Sequence, residues 1–163
     1  MVGAQRKGFL EALGARESGA DYGAVNRAGY VGKYQMGEAA LIDAGYYQAD
    51  GTARNDWRGR WTGRDGVNSC KDFLASPRAQ ENAVRAYHKR VWGYVRRAGL
   101  DRYAGSTVGQ VNITPLGLLA GAHLVGTGKA ATIPGQWRPE RSCRRVRYPR
   151  LGVPAEVGWL RCE

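Results

Sequence analysis

Several absences in the sequence limit what this protein can be. No segment approaches the roughly eighteen consecutive apolar residues of a membrane-spanning helix, and the basic N-terminal stretch lacks an apolar run of signal-peptide length. The three cysteines, Cys70, Cys143 and Cys162, are odd in number, widely separated and without metal-ligand spacing. We therefore expect free thiols and no cofactor, with a bond between Cys143 and Cys162 as the alternative in an oxidising compartment.

Acidic residues are also scarce. The chain has 14 acidic against 25 basic side chains, a formal net charge of +11 and a pI near 10.0. This balance predicts a polyanionic partner, namely nucleic acid, an anionic membrane surface or an acidic cell-wall polymer. Since zinc-finger spacing and RNA-binding aromatic motifs are missing, nucleic acid is not the expected partner. The plainer alternative is a solvated basic surface that keeps the chain soluble.

The remaining composition is typical of one globular domain. The chain has 163 residues, of which 43% are hydrophobic and 24% charged, enough to bury a core. Glycine is abundant, with 24 residues, so many turns and close backbone approaches are expected.

Apolar periodicity predicts mainly helices. Residues 5–16 form an amphipathic pattern that ends near Gly19, and GEAALIDAGYY predicts a second helix. SPRAQENAVRAYHKRVWGYVRRAGL predicts the longest helix, and ITPLGLLAGAHLVGTGKA a buried one that starts near Pro115. Residues 19–37 are a predicted loop or short hairpin, and residues 48–69 a long, polar, glycine-punctuated excursion. From about residue 133 the sequence is irregular, basic and proline-rich, so we predict a domain over 1–132 and a tail over 133–163.

Glu17 stands at the predicted end of the first helix. A carboxylate there meets the negative end of the helix dipole, which tends to raise its pKa. Such an acid can donate a proton near neutral pH. The alternative is a surface acid paired with Arg16 or Lys33.

The segment that follows Glu17 carries a family resemblance. ESGADYGAVNRAGYVGKYQMG resembles the catalytic signature of lysozyme-like lytic transglycosylases and goose-type lysozymes, in which a Glu-Ser pair ends a helix and a Gly-x-x-Gln segment follows across the cleft. Glu17 and Gln35 stand eighteen positions apart, as in that pattern. GLLAGAHLVGTGKA resembles the buried helix and exit loop, with His123 and Leu124 where the family usually has Tyr-Asn. The resemblance covers about residues 8–130 and is closer to a subgroup found in phage and secreted effectors.

The resemblance implies a mainly α, lysozyme-like fold with a small hairpin or loop region beside a catalytic cleft. It implies cleavage of the β-1,4 bond between MurNAc and GlcNAc in peptidoglycan, with Glu17 as general acid and then general base. Hydrolysis and transglycosylation both remain open, because the substrate's own groups can replace a second carboxylate in this family. Asp21, Asp43 and Asp65 are the acids that could assist.

The expected substrate-binding residues each have a structural alternative. Ser18 orients Glu17 or caps the helix. Gln35 binds the sugar's N-acetyl or hydroxyl groups, or ties down its loop. Tyr34 stacks on a sugar or lies in the core. Asp21 assists catalysis or forms an Asx turn. His123 lines the cleft or is a core histidine.

Other residues are open in the same way. The two tryptophans of segment 48–69 form a platform for a sugar or anchor that long loop. The three glycines of segment 19–37 let the saccharide approach the backbone closely or form turns. A second histidine is expected at the surface. These residues are Trp57, Trp61, Gly29, Gly32, Gly37 and His88.

These features predict a monomer that acts in the periplasm or at the cell wall. Delivery would follow phage lysis or use a secretion system, unless a signal has been removed. The basic tail would contact anionic membranes, and an effector of this kind would have an immunity or inhibitor protein as a partner. The alternatives are a non-catalytic wall-binding or phage structural module and a basic nucleic-acid binder.

Overall fold

The fold is mainly α, as predicted. The computed structural model describes residues 3–108 and 110–125, with side chains for 7–107 and 110–123. The helices are α1 (Gly3–Ser18), α2 (Glu38–Asp43), α3 (Cys70–Leu74), α4 (Pro77–Arg97) and α5 (Pro115–Val125), and the strands are β1 (Tyr47–Gln48), β2 (Arg60–Trp61), β3 (Thr107–Val108) and β4 (Val111–Asn112). Short 3-10 turns cover Arg64–Gly66 and Leu100–Tyr103.

The chain divides into two compact units. The first runs from Met1 to Arg90 and the second from Val91 to Glu163, so the boundary falls inside α4. The predicted boundary at residue 132 and the tail over 133–163, including Cys143 and Cys162, lie outside the described residues. Cys70 is a free, half-buried thiol.

The first helix buries the face that periodicity predicts. Leu10 and Leu13 of α1 are buried. Phe9 packs against His88 of α4, with ring centroids 5.6 Å apart. His88 is therefore only 4% exposed, and the expectation that it lies at the surface is wrong, because the aromatic ring of α1 covers it.

The longest helix begins at a Ser-Pro cap. The Ser76 hydroxyl accepts a hydrogen bond from the backbone N–H of Ala79 at 3.2 Å, and proline is suited to the first position because it has no N–H to satisfy. The predicted apolar stripe is buried, apart from half-buried Tyr94; its buried members are Ala83, Val84, Tyr87, Val91 and Val95.

The loop between α1 and α2 is irregular, with only isolated β-bridges. Val31 pairs with Val25 on one side and with Met36 on the other. Backbone hydrogen bonds in both directions between Val31 and Met36, at 3.0 and 2.9 Å, close a tight turn over residues 32–35.

The polar segment 48–69 contains part of a small hairpin. Its strands β1 and β2 pair antiparallel, with Tyr47 opposite Trp61 and Gln48 opposite Arg60. Trp57 and Trp61 stack on each other at 5.6 Å, and Tyr47 meets both edge-on.

In the second unit, α5 begins at Pro115 as predicted. The Thr114 hydroxyl accepts a hydrogen bond from the Gly117 N–H at 2.9 Å and caps the helix. Leu119, Ala120 and Ala122 are buried, whereas Gly121 is exposed, so α5 is not buried all round. Strands β3 and β4 pair antiparallel just before it.

Candidate active site

Glu17 lies at the C-terminal end of α1, as the sequence predicts. The side chain is half-buried. Burial raises its pKa above the ordinary value of 4.5, and the neighbouring Arg16 charge offsets this only in part. The carboxyl is thus protonated at a higher pH than an exposed glutamate, the property that a general acid needs.

The backbone after Glu17 is held in an unusual conformation. Gly19 and Ala20 have φ angles of +68° and +66°, in the left-handed region. The Ala20 N–H donates to the Gly14 carbonyl oxygen at 2.9 Å, which closes the helix end. Left-handed backbone is costly at alanine, so this helix end is fixed by its hydrogen bonds rather than by local preference.

Ser18 joins this helix end to the turn that carries Gln35. Its hydroxyl donates to the Lys33 carbonyl oxygen at 2.9 Å and also lies 3.2 Å from the Asp21 carbonyl oxygen. The residue after Glu17 is therefore bonded to a position two residues before Gln35. This hydrogen bond joins the two segments of the family-like signature. Ser18 makes it with a backbone carbonyl oxygen rather than with a side chain.

Gln35 is half-buried at the end of the turn. Its φ angle is +44°, and its side-chain amide nitrogen donates to the Gly32 carbonyl oxygen at 3.0 Å. The loop-tying alternative is confirmed for this nitrogen. Contact between Gln35 and a substrate stays a prediction.

Lys33 and Glu81 form a shielded ion pair beneath the turn. The Lys33 ammonium lies 2.9 Å from the Glu81 carboxylate, and their side chains are 10% and 21% exposed. The same carboxylate oxygen accepts hydrogen bonds from the hydroxyls of Tyr22 at 3.0 Å and Tyr34 at 2.5 Å. Lys33 is thus paired with Glu81, so it is not the partner of Glu17 that the surface-acid alternative proposed. The other partner in that alternative, Arg16, adjoins Glu17 and acts on it through its charge.

The charges of this pair are stabilised by these contacts. Burial alone would raise the pKa of Glu81, but the hydrogen bonds from Tyr34, Lys33 and Tyr22 and the Lys33 charge lower it overall. Burial alone would lower the pKa of Lys33, yet its hydrogen bonds with Glu81, Tyr22 and Tyr34 raise it. Both groups are therefore ionised at neutral pH.

Gln80, next to Glu81 on α4, holds the backbone on both sides of the loop. Its side-chain oxygen accepts from the Lys33 N–H at 2.9 Å, and its nitrogen donates to the carbonyl oxygens of Tyr22 and Phe73, each at 2.9 Å. With 1% exposure, it is a fully satisfied buried amide. The loop after Glu17 is thus docked on α4 by two consecutive side chains.

Two predicted substrate-binding residues have structural roles. Tyr34 is 0% exposed, so the sugar-stacking prediction is wrong and the core alternative is confirmed, because no face of the ring reaches the surface. The Asp21 carboxylate accepts from the Gly23 N–H at 2.7 Å, which is an Asx turn. A further role for Asp21 in catalysis stays a prediction.

The other acids considered for assistance have partners elsewhere. Asp43 pairs with Arg90 at 3.7 Å. The Asp65 carboxylate accepts from the Tyr46 hydroxyl and from the Asn82 side-chain amide at 3.0 Å. Both contacts fix the surrounding structure, so neither geometry indicates a catalytic role.

The tryptophans anchor the segment in which they lie. The Trp57 indole N–H donates to the Gly29 carbonyl oxygen at 2.9 Å, and its backbone N–H donates to the Glu38 carboxylate at 2.5 Å. Trp57 and Trp61 are both half-buried. The anchoring alternative is confirmed, and a sugar platform is not tested.

The predicted close-approach glycines are needed by the protein itself. A Cβ at Gly29 would lie 2.1 Å from the Asn55 carbonyl oxygen, and one at Gly32 would lie 2.2 Å from the Gln80 side-chain oxygen. Both residues also have positive φ angles, +79° and +74°. At Gly37, a Cβ would meet the Asn55 side chain at 2.6 Å. The missing side chains at these glycines therefore make room for Asn55 and Gln80 of the same unit.

Three carboxylates could hold a hard cation. Glu38, Asp50 and Asp56 each offer an oxygen, and these oxygens lie within 4.8 Å of one another. Oxygen ligands of this kind suit Ca²⁺ or Mg²⁺. The Glu38 carboxylate already accepts a hydrogen bond from the Trp57 backbone N–H, and the Asp50 carboxylate accepts one from the Thr52 backbone N–H. These two carboxylates therefore also stabilise the segment 48–69.

His123 lies on α5 in the second unit and is half-buried. Its role in lining a cleft stays a prediction.

Comparisons of the whole chain with protein-family models, with curated proteins and with solved structures returned no match. Within the part of the chain that the structure describes, no helix is long and apolar enough to cross a membrane.

The sequence reasoning missed Gln80 and Glu81. One signal was present for Gln80, which stands seven residues before Tyr87 and four before Val84, on the buried stripe of α4. A polar residue at such a position needs buried partners. Glu81 had no comparable signal: its pairing with Arg85 is an ordinary i,i+4 contact, and its partners in the loop lie 47 to 59 residues away in the sequence.

Proposed function

We propose that this chain adopts a lysozyme-like fold and cleaves peptidoglycan glycan strands at the β-1,4 bond between MurNAc and GlcNAc, with Glu17 as general acid and then general base. The observation that carries the proposal is the half-buried Glu17 carboxyl at the end of α1, whose pKa burial raises. The Ser18 bond to the turn that carries Gln35 supports it.

The chemistry needs one group that can both give and accept a proton. Cleavage places positive charge on the sugar ring while the leaving oxygen must be protonated. A carboxyl with an ordinary pKa is almost fully ionised at neutral pH, whereas one with a raised pKa keeps a protonated fraction. Glu17 supplies that proton, and its carboxylate then accepts one from the incoming water or from the substrate's own hydroxyl.

Glu81 is not suited to be the second acid. Its carboxylate accepts hydrogen bonds from Lys33, Tyr22 and Tyr34, and Arg85 lies 3.3 Å from its other oxygen. These partners stabilise the ionised form and occupy its lone pairs. Either Asp21 or a group of the substrate completes the reaction.

The net charge of +11 favours an anionic polymer as substrate. Cell walls carry peptide carboxylates and polymer phosphates, and a basic protein associates with them faster at low salt. Binding to purified sacculi should therefore weaken as salt is raised.

Mass spectrometry of muropeptides released from purified peptidoglycan tests the proposal. The wild type is compared with Glu17→Gln and with the matched control Glu11→Gln, which changes an exposed glutamate of the same helix, 4.0 Å from Lys7. We expect both wild type and control to release products, and Glu17→Gln to release at least about 100-fold less.

The product ends identify the reaction. Anhydro-MurNAc ends that depend on Glu17 indicate a transglycosylase, and reducing MurNAc ends indicate a hydrolase. Folded wild type that releases neither contradicts the proposal. Retention on sacculi would then favour a wall-binding module, and salt-sensitive retention on DNA alone a nucleic-acid binder.

A further inference from the structure

The stem of Lys33 lies along the helix that carries Glu17. A Cβ built at Gly14 of α1 would lie 2.5 Å from Cε and 2.8 Å from Cγ of Lys33, so the lysine chain fills the space that glycine leaves. Gly14 and Glu17 are three residues apart and are neighbours on the helix surface, about 5–6 Å from each other. The lysine chain therefore runs beside the last turn of α1, the turn that carries Glu17.

In the folded chain the ammonium points elsewhere. It donates to the Glu81 carboxylate at 2.9 Å and to the Tyr22 hydroxyl at 3.1 Å. The ammonium also lies over the faces of two tyrosine rings, 5.0 Å from the Tyr22 centroid and 5.1 Å from the Tyr34 centroid. All of these contacts hold Lys33 on the side of α4.

A cation beside Glu17 would oppose its proposed role. An opposite charge within about 4–6 Å favours the ionised form of a carboxyl. The ionisable groups of this helix end, of the loop and of the Glu81 network on α4 all bear on this question. They are Arg16, Asp21, Tyr22, Lys33, Tyr34, Glu81 and Arg85.

We propose that Glu81 is a positioning residue that holds the Lys33 ammonium away from Glu17 and so preserves the protonated form of the Glu17 carboxyl. The ion pair is electrically neutral as seen from Glu17, whereas Lys33 alone would not be. The consequence for catalysis rests on the proposed function; the effect on the Glu17 carboxyl does not.

The test is a titration of the Glu17 side-chain carboxyl by ¹³C NMR, with its signal assigned from the spectrum of Glu17→Gln. Glu81→Gln keeps an oxygen that can accept hydrogen bonds but removes the charge that holds Lys33. We expect the Glu17 midpoint to fall by about one pH unit. In the double variant Glu81→Gln with Lys33→Met, both charges are gone and the midpoint should return close to the wild-type value.

A Glu17 midpoint that is unchanged or higher in Glu81→Gln would overturn the proposal. If that variant does not fold, Lys33→Met alone decides the matter: it leaves the Glu81 carboxylate without its cation, so the Glu17 midpoint should rise. No change there would show that the pair has no influence on Glu17.

The titration needs no substrate, so it separates this inference from the proposed function. A wild type that cleaves no peptidoglycan while Glu17 responds to Glu81→Gln contradicts the function alone. An active wild type whose Glu17 ignores both variants contradicts the positioning role alone. With an active protein, the alkaline limb of the pH–rate profile should move down with the Glu17 midpoint.

Discussion

The C-terminal end of α1 and the first turns of α4 each present a partly buried glutamate, and the two differ in acidity. At Glu17 burial raises the pKa, and among the described residues the adjacent Arg16 opposes it. At Glu81 the same effect of burial is outweighed by three hydrogen-bond donors and the Lys33 charge, so the pKa is lowered.

This difference shows that the surrounding donors, rather than burial alone, decide what a carboxyl can do. Donors that stabilise the charged form make Glu81 a permanent anion that holds a loop in place. The Glu17 carboxyl, whose pKa burial raises, keeps its proton to a higher pH, which suits an acid catalyst. The two residues lie in the same unit, and the anion organises the loop that is bonded to Ser18, next to the acid.

The largest effect that separates the two regions is expected from Glu81→Ala. It removes the carboxylate that pairs with the Lys33 ammonium, 10% exposed, and that accepts hydrogen bonds from two tyrosine hydroxyls. We expect a loss of about 3–5 kcal/mol in the free energy of unfolding, measured by urea denaturation. The matched change Glu11→Ala removes an exposed pair on α1 and should cost less than about 0.5 kcal/mol. If both variants lower the free energy of unfolding by similarly small amounts, the structural role given to Glu81 is wrong.

The pH dependence of that loss follows from the direction of each pKa. Because the pKa of Glu81 is lowered by folding, its contribution is present above the ordinary value of 4.5 and is lost as pH falls through the folded-state value. The pKa of Lys33 is raised, so its contribution is complete below 10.5 and is lost as pH rises further. The difference between wild type and Glu81→Ala should therefore be greatest between about pH 5 and 10 and shrink on acidification.

A smaller effect of opposite sign is expected from Glu17→Gln. A raised pKa means that the Glu17 contribution is favourable at low pH and is lost as pH rises through the folded-state value. Removal of a half-buried charge should thus raise the melting temperature at pH 7 by roughly 1–3 °C, a modest effect among single stabilising changes. Thermal unfolding at pH 7 and pH 3 measures this, and a lower melting temperature at pH 7 would count against the raised pKa.

Local patterns in the sequence were enough to predict the mainly α class and the four helices α1, α2, α4 and α5, but not α3 or the β3–β4 pair. The starts of α4 and α5 follow from Ser-Pro and Thr-Pro, and the end of α1 follows from Gly19, because caps and glycine act on their immediate neighbours. The apolar stripes of α1 and α4 followed from a period near 3.6 residues. The burial of His88 was missed, since it depends on Phe9, 79 residues earlier.

The candidate site was predictable only in part. The position of Glu17 at a helix end is local and was anticipated, as was the turn that carries Gln35. The pairing of Lys33 with Glu81 spans 48 residues and depends on how α4 meets the loop, which no local pattern encodes. The aromatic side chain of Tyr34 suits both a sugar-binding surface and a core, and only its burial distinguishes them.

Titration of the two glutamates in the wild-type protein tests the central claim most directly. The midpoints of Glu17 and Glu81 can be followed together by ¹³C NMR of their side-chain carboxyls. We predict that Glu17 titrates above 4.5 and Glu81 below it. A Glu17 midpoint at or below that of Glu81 would contradict the account, because the chain would then have no protonated carboxyl at this helix end to begin the proposed reaction.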